Sequence, residues 1–171
     1  MLNIGLLVLR VVVGLTVAAH GSQKLFGWFE GPRISGFSAM LGQLGIRPER
    51  PFAILAALAE FAGGLLVALG LLTPITALFM GGSLVVAIFA VHLPKGFWNK
   101  AGGYEFPLAL LGAAVAIALT GPGRFSLDSL FGISLPEPVT FIVAAVLVAI
   151  GCAAALAAPR LEARSRRQVA G

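Results

Sequence analysis

The sequence predicts an all-α, polytopic membrane protein: a four-helix bundle followed by a fifth, C-terminal transmembrane helix. Three observations carry that expectation. Hydrophobic residues make up 58% of the 171 positions and charged ones only 11%, where a soluble domain carries about a quarter. Mean hydropathy is +0.98. The apolar residues also gather into five runs divided by Gly, Pro and charge, and each is near the roughly 20 residues a membrane-spanning helix needs. Because the glycines are scattered through apolar runs rather than polar ones, the composition does not describe a disordered chain.

The runs are 2–27, 52–72, 75–93, 104–120 and 138–158. The first is expected to remain as a helix rather than act as a secretory signal, since Met1-Leu2-Asn3 has no basic residue and Arg10 interrupts the apolar region. Between the first and second runs, Ile34, Phe37, Leu41 and Leu44 recur at helical spacing, which predicts a short amphipathic helix at the membrane interface. Trp28, Phe29, Phe97 and Trp98 suit the same depth as anchors. The second run starts after Pro51. Thr73-Pro74 opens the third with almost no loop, so the second and third must form an antiparallel hairpin. Gly102-Gly103 precedes the fourth, and Pro136-Glu137-Pro138 precedes the fifth. The expected organisation is a bundle over 1–131, an additional helix over 132–158 and a basic cytoplasmic tail over 159–171.

Net charge is +5 and the pI is near 10.4, but the cations lie almost wholly between or beyond the runs. With five spans, Lys24, Arg33, Arg47, Arg50, Lys95, Lys100, Arg160, Arg164, Arg166 and Arg167 fall on one side and Arg124 alone on the other. The positive-inside rule then places the N-terminus outside and the C-terminus inside a bacterial cytoplasmic membrane. The cations are explained by this orientation and call for no nucleic acid. A lone cysteine, Cys152, excludes a disulfide framework and a Cys-based zinc or iron–sulfur site within one chain.

An ionisable side chain inside a bilayer is a candidate functional group by default. Arg10, His20 and Lys24 lie in the first run, Glu60 in the second and His92 in the third, and Glu105 opens the fourth. At about 100° per residue, Arg10, Gly14, Val17, Gly21 and Lys24 share one stripe, as do Ala53, Ala57, Glu60, Gly64 and Val67. Gly81, Val85, Ile88 and His92 form a third stripe, and Glu105, Ala109, Gly112 and Ala116 a fourth. Small residues mark helix seams in membranes. His20, Lys24, Glu60, His92 and Glu105 are therefore expected to converge in the cytoplasmic half of the bundle. Arg10 lies higher, with Glu60 or Asp128 as its partner, the latter in the segment from Gly121 through Gly123 to Asp128.

Each group also has a structural reading. Arg10 can lock a loop, Glu60 can be a proton carrier or simply a partner for Arg10 or Lys24, the histidines can be hydrogen-bonded core residues, Lys24 can snorkel to the interface, Glu105 can favour a helix N-terminus and Cys152 can be an inert thiol. Haem ligation by the histidines, or a metal held by two His and two carboxylates, stands beside these on ligand inventory alone, and no metal is assigned. The fifth run has no ionisable group and is expected to be peripheral.

Seven pieces fall in a fixed order along the first four runs: Arg10 with Gly14, His20-Gly21 with Lys24-Leu25, Glu60 with Gly63-Gly64, Gly70 with Thr73, His92 with Gly96-Phe97, Gly103 with Glu105, and Gly121-Pro122-Gly123 with Ser126-Leu127-Asp128. In that order the chain resembles the DoxX family of small bacterial membrane proteins. The resemblance covers roughly residues 4–131 and implies a four-helix membrane bundle. It also implies kinship with subunits of a thiosulfate:quinone oxidoreductase and with a mycobacterial member that associates with superoxide dismutase and a thiosulfate sulfurtransferase. It assigns no catalytic residue, and the fifth helix and tail inherit nothing from it.

Three functions follow as expectations. The first is a redox-associated membrane subunit with a quinone among His20, His92, Glu60 and Lys24. No Cys pair, dinucleotide fingerprint or flavin turn encodes a cofactor, so electrons would come from a partner. The second is a non-catalytic anchor that recruits a soluble oxidoreductase to its basic face, and the third is a small-molecule or proton permease. Small-residue faces leave a homo-oligomer open.

Overall fold

Glycine and proline set the helix ends. In the computed structural model, which describes the backbone of residues 1–169 and the side chains of residues 1–157, α1 (Leu2–Phe26) stops at Gly27. The left-handed backbone of Gly27 (φ 78°) turns its N–H onto the Gln23 carbonyl. A turn at Trp28–Glu30 leads to α2 (Arg33–Gln43), and α3 (Glu49–Leu69) stops at Gly70. α4 (Thr73–Ala87) has Pro74 in its first turn, then widens into a π turn at Ile88–His92 and tightens at Leu93–Lys95. Pro94 accounts for the distortion: it has no N–H to donate, and its ring would collide with the carbonyl of an undisturbed α-helical turn. α5 (Glu105–Thr120), α6 (Leu127–Leu130) and α7 (Val139–Val169) complete the chain. Each of the five expected runs is a helix, and the expected amphipathic segment is α2. The basic tail expected at 159–171 lies outside the residues whose side chains are described.

α1, α3, α4 with its extension to Lys95, and α7 over Val139–Ala157 are each long and apolar enough to cross a bilayer. α5 has 16 residues, about 24 Å at 1.5 Å per residue against ~30 Å of hydrocarbon. It still connects the two ends of the bundle. The loop before it is tied to His92 at the end of α4, and the segment after it bonds Asn3, Arg10 and Gly70. One end therefore carries Lys24, Arg33, Arg47, Arg50, Lys95 and Lys100, and is called the basic end below; the other carries Asp128.

α1 and α3 make the most extensive helix pair, running antiparallel. Their closeness depends on glycine. A Cβ on Gly64 would stand 2.5 Å from the Gly14 carbonyl oxygen and 2.7 Å from the Ala18 nitrogen, and one on Gly14 would stand 2.5 Å from the Gly64 carbonyl oxygen. Val13, Val17, Val67, Ala77, Met80 and Ile117 fill the core where these helices meet α4 and α5. α2 lays Phe37 and Leu41 against Ile46 and Ala53. α7 packs along α4, where Gly82 leaves room for Val148 and Cys152.

The fourth expected seam is corrected. α5 buries Pro107, Ala114, Ile117 and Ala118, whereas Ala109, Gly112 and Ala116 are exposed and a Cβ on Gly112 would meet nothing within 4 Å. α5 is apolar all round, so its pattern marks no preferred face, and packing against Leu78 and Met80 of α4 selects one.

Candidate functional site

The tight α1–α3 crossing sets the register that joins Lys24 to Glu60. Lys24 comes from the last turn of α1 and Glu60 from the middle of α3, and Lys24 Nζ donates to Glu60 Oε1 at 2.5 Å and Oε2 at 2.6 Å. The Glu60 side chain is 3% exposed and that of Lys24 22%. The ammonium also sits 4.7 Å from the centre of the Phe37 ring on α2, a cation–π contact that adds a second anchor.

The pair forms part of the wall of a cavity of about 230 Å³ bounded by α2, α3, α4 and α7. Phe37, Leu41, Ile46, Phe52, Ala56, Val86 and Ala90 are among the apolar residues that line it. Two weaker polar groups join them. Ser83 Oγ donates to the Met80 carbonyl at 2.8 Å, and the Cys152 thiol reaches the Gly82 carbonyl at 3.4 Å. Both donors are thus spent on backbone, and Lys24–Glu60 is the charged feature of an apolar chamber.

The other ionisable residues go elsewhere. His20 is exposed, with its ring centre 6.0 Å from that of Phe106. The expected convergence is corrected there, because His20 lies about 100° around α1 from Gly21, off the buried stripe. His92 and Glu105 tie down the loop at the basic end instead of lining the cavity. His92 Nδ1 lies 2.7 Å from the Gly102 carbonyl, and Glu105 Oε2 accepts the Asn99 N–H at 2.9 Å. His92→Ala should accordingly lower stability by about 1 kcal/mol and speed trypsin cleavage after Lys95 and Lys100, while leaving the cavity intact. Unchanged cleavage would show that the loop does not depend on this bond.

Arg10 and Asp128 organise the opposite end. Arg10 is fully buried and its Nη2 donates to the Phe125 carbonyl; among the described residues it makes no direct ion pair with Glu60 or Asp128, but Asp128 is the opposite charge that acts on it through space. Glu60 is committed to Lys24. Asp128 accepts from the Leu72 N–H (2.7 Å), the Thr73 N–H (3.0 Å) and Thr73 Oγ1 (2.9 Å), so it caps α4 from a distant segment. Gly121 (φ 75°) ends α5, and Gly123 (φ 69°) packs against Leu6 and Asn3. Among the described residues, no group of three or more His, Cys, Asp or Glu side chains gathers to hold a metal.

Sequence reasoning missed the part played by α7. It is peripheral in burial, but Leu147, Val148, Gly151, Cys152 and Ala155 close one side of the cavity. The available signal was the small-residue spacing of Gly151, Cys152 and Ala155 opposite Gly82.

Comparison with known proteins matches residues 5–93 to the family model described as DoxX. The chain belongs to the DoxX family. A Bacillus subtilis relative named "Putative oxidoreductase CatD" is 35% identical over 126 residues, covering 74% of this chain and 86% of the relative. The Escherichia coli inner membrane protein YqjF is 30% identical over 131 residues, 75% of this chain and 92% of its own. No solved structure matches. The match places this DoxX chain among multi-pass membrane proteins. Arg10, Lys24, Glu60 and His92 fall within the matched DoxX segment, whereas Glu105, Asp128 and α7 lie beyond it.

Proposed function

We propose that this protein is the membrane component of a redox system, holding a quinone-type carrier beside Lys24 and Glu60 and exchanging electrons with a partner oxidoreductase at its basic end. The observation that supports this reading is the ion pair itself, placed in the wall of a chamber that is otherwise apolar. Such a chamber suits a flat apolar ring with polar atoms at its edge. The relationship to CatD, named as a candidate oxidoreductase, adds support.

When bound, a quinone supplies an acceptor for two electrons and two protons. Lys24 has three N–H donors; two meet Glu60, and the third is available to an oxygen in the cavity. Glu60 has lone pairs left to accept a hydroxyl hydrogen or to hold a proton. Walls built from Phe, Leu, Ala and Val keep water out and strengthen both interactions. The cations gathered at the basic end make it the cytoplasmic side by the positive-inside rule, with the N-terminus outside. They also offer a docking face for a soluble, acidic electron-donating partner.

Titration of the purified protein in nanodiscs with a naphthoquinone tests this. Saturable binding is expected, and Glu60→Gln should weaken it by about tenfold with the fold retained by circular dichroism. Non-saturable uptake, or equal affinity in Glu60→Gln, would defeat the proposal.

A further inference from the structure

We infer that the cavity is reached sideways from the bilayer, through a slot between α3 and α7, by an amphiphile that binds with an uncharged polar head toward Lys24 and a hydrocarbon tail lying in the slot. This deepens the redox reading and relies on it for the quinone identity of the head. The route and the tail rest on separate observations.

The lining changes character from one side of the cavity to the other. Phe37, Leu41 and Ile46 are buried around Glu60, whereas Leu55 on α3, Phe79 on α4 and Leu147 on α7 line the same cavity and are 59%, 42% and 55% exposed. Apolar side chains left exposed in the middle of membrane-spanning helices face lipid. Counted from the Asp128 end at 1.5 Å per residue, Phe79 lies about 9 Å, Leu147 about 12 Å and Leu55 about 21 Å along their helices. The opening therefore spans mid-bilayer depth. α7 is drawn onto α4, where a Cβ on Gly82 would approach Val148 Cγ1 to 2.8 Å, and among the described residues it makes no comparable packing with α3. That asymmetry leaves the slot on the α3 side.

Charge defines the head. Lys24 and Glu60 neutralise each other at 2.5 Å, so their end of the cavity offers hydrogen-bond donors and acceptors without a net charge. An uncharged carbonyl or hydroxyl head suits it better than a phosphate, which would arrive with an uncompensated negative charge. By the same count Glu60 lies about 14 Å from the Asp128 end, level with the slot, so the head sits near mid-bilayer depth and the tail leaves sideways toward lipid.

Three probes in phosphatidylcholine nanodiscs test the inference: a tailless naphthoquinone, the same ring with an isoprenoid tail, and the isoprenoid alcohol without the ring. The tailed quinone should bind about tenfold or more tightly than the tailless one. Leu55→Trp with Leu147→Trp, which fills the slot, should abolish that gain while tailless binding persists. Leu58→Trp, exposed on α3 but outside the cavity, should keep it. Equal affinity of the two quinones, or a gain that survives the blocked slot, would overturn the slot and leave the redox reading standing. If neither quinone saturates, the redox reading fails, and the slot is then judged on the alcohol. Saturable alcohol binding lost in the blocked variant supports it, and no saturable binding overturns it. Displacement of the tailed quinone by phosphatidylglycerol would overturn the uncharged head.

Discussion

Gly64→Ala should destabilise the bundle by about 3 kcal/mol, the upper part of the range for overpacked sites, although Ala is the better helix former by about 1 kcal/mol. The new methyl would meet only backbone, the Gly14 carbonyl at 2.5 Å and the Ala18 nitrogen at 2.7 Å, so no side chain can swing away. The two helices must part, and their separation loosens the register that brings Lys24 to Glu60. The neighbouring residue supplies the control. A Cβ on Gly63 would rest 3.5 Å from Met80 Cβ, an ordinary contact, so Gly63→Ala should be neutral or slightly stabilising. Denaturation midpoints in mixed micelles measure both. Equal midpoints for the two variants would mean that α1 and α3 do not cross at Gly14 and Gly64.

Asp128→Ala should cost about 3 kcal/mol by the same measurement. The carboxylate is 2% exposed and accepts three hydrogen bonds, two from backbone N–H groups at the start of α4. Charge-assisted bonds are worth roughly 1.5–3 kcal/mol each. They sum to less than that here, because donors freed near the membrane surface recover some hydration. Thr73→Val removes one bond and should lose about 1 kcal/mol, and in the double variant the two losses should fall short of adding, since Thr73 Oγ1 has already lost its acceptor. A loss under about 0.5 kcal/mol in Asp128→Ala, the range of ordinary surface changes, would refute the capping role.

Lys24 and Glu60 were both legible before any coordinates, because each shares a stripe with glycines that helical geometry aligns. Their pairing was one of two open readings, since the sequence offered Arg10 beside Lys24 as a partner for Glu60, and the structure selects Lys24. Arg10 instead satisfies part of its guanidinium with the Phe125 carbonyl, beside a Gly70 whose Cβ would overlap Arg10 Nη1. A backbone acceptor carries no side-chain signature in a sequence. Gly70 can be understood in retrospect, since it needs both a left-handed backbone (φ 69°) and an empty side-chain position. His20 was drawn into the expected site by depth alone, and its angle around α1 turns it outward.

Length of apolar run, together with the placement of Gly and Pro, was enough to specify the five long apolar helices and where most of them turn, because those effects act within a turn or two of the residue responsible; it marked neither the short α6 nor the continuation of α7 past 158 to Val169. Which polar groups meet depends on the rotation of each helix about its own axis. Where glycines and ionisable residues share a face, as on α1 and α3, that rotation is written in the chain. α5 and the Val139–Ala157 span of α7 are apolar on every side, and only close packing against α4 selects the face each presents, and with it the cavity that lies beside Glu60.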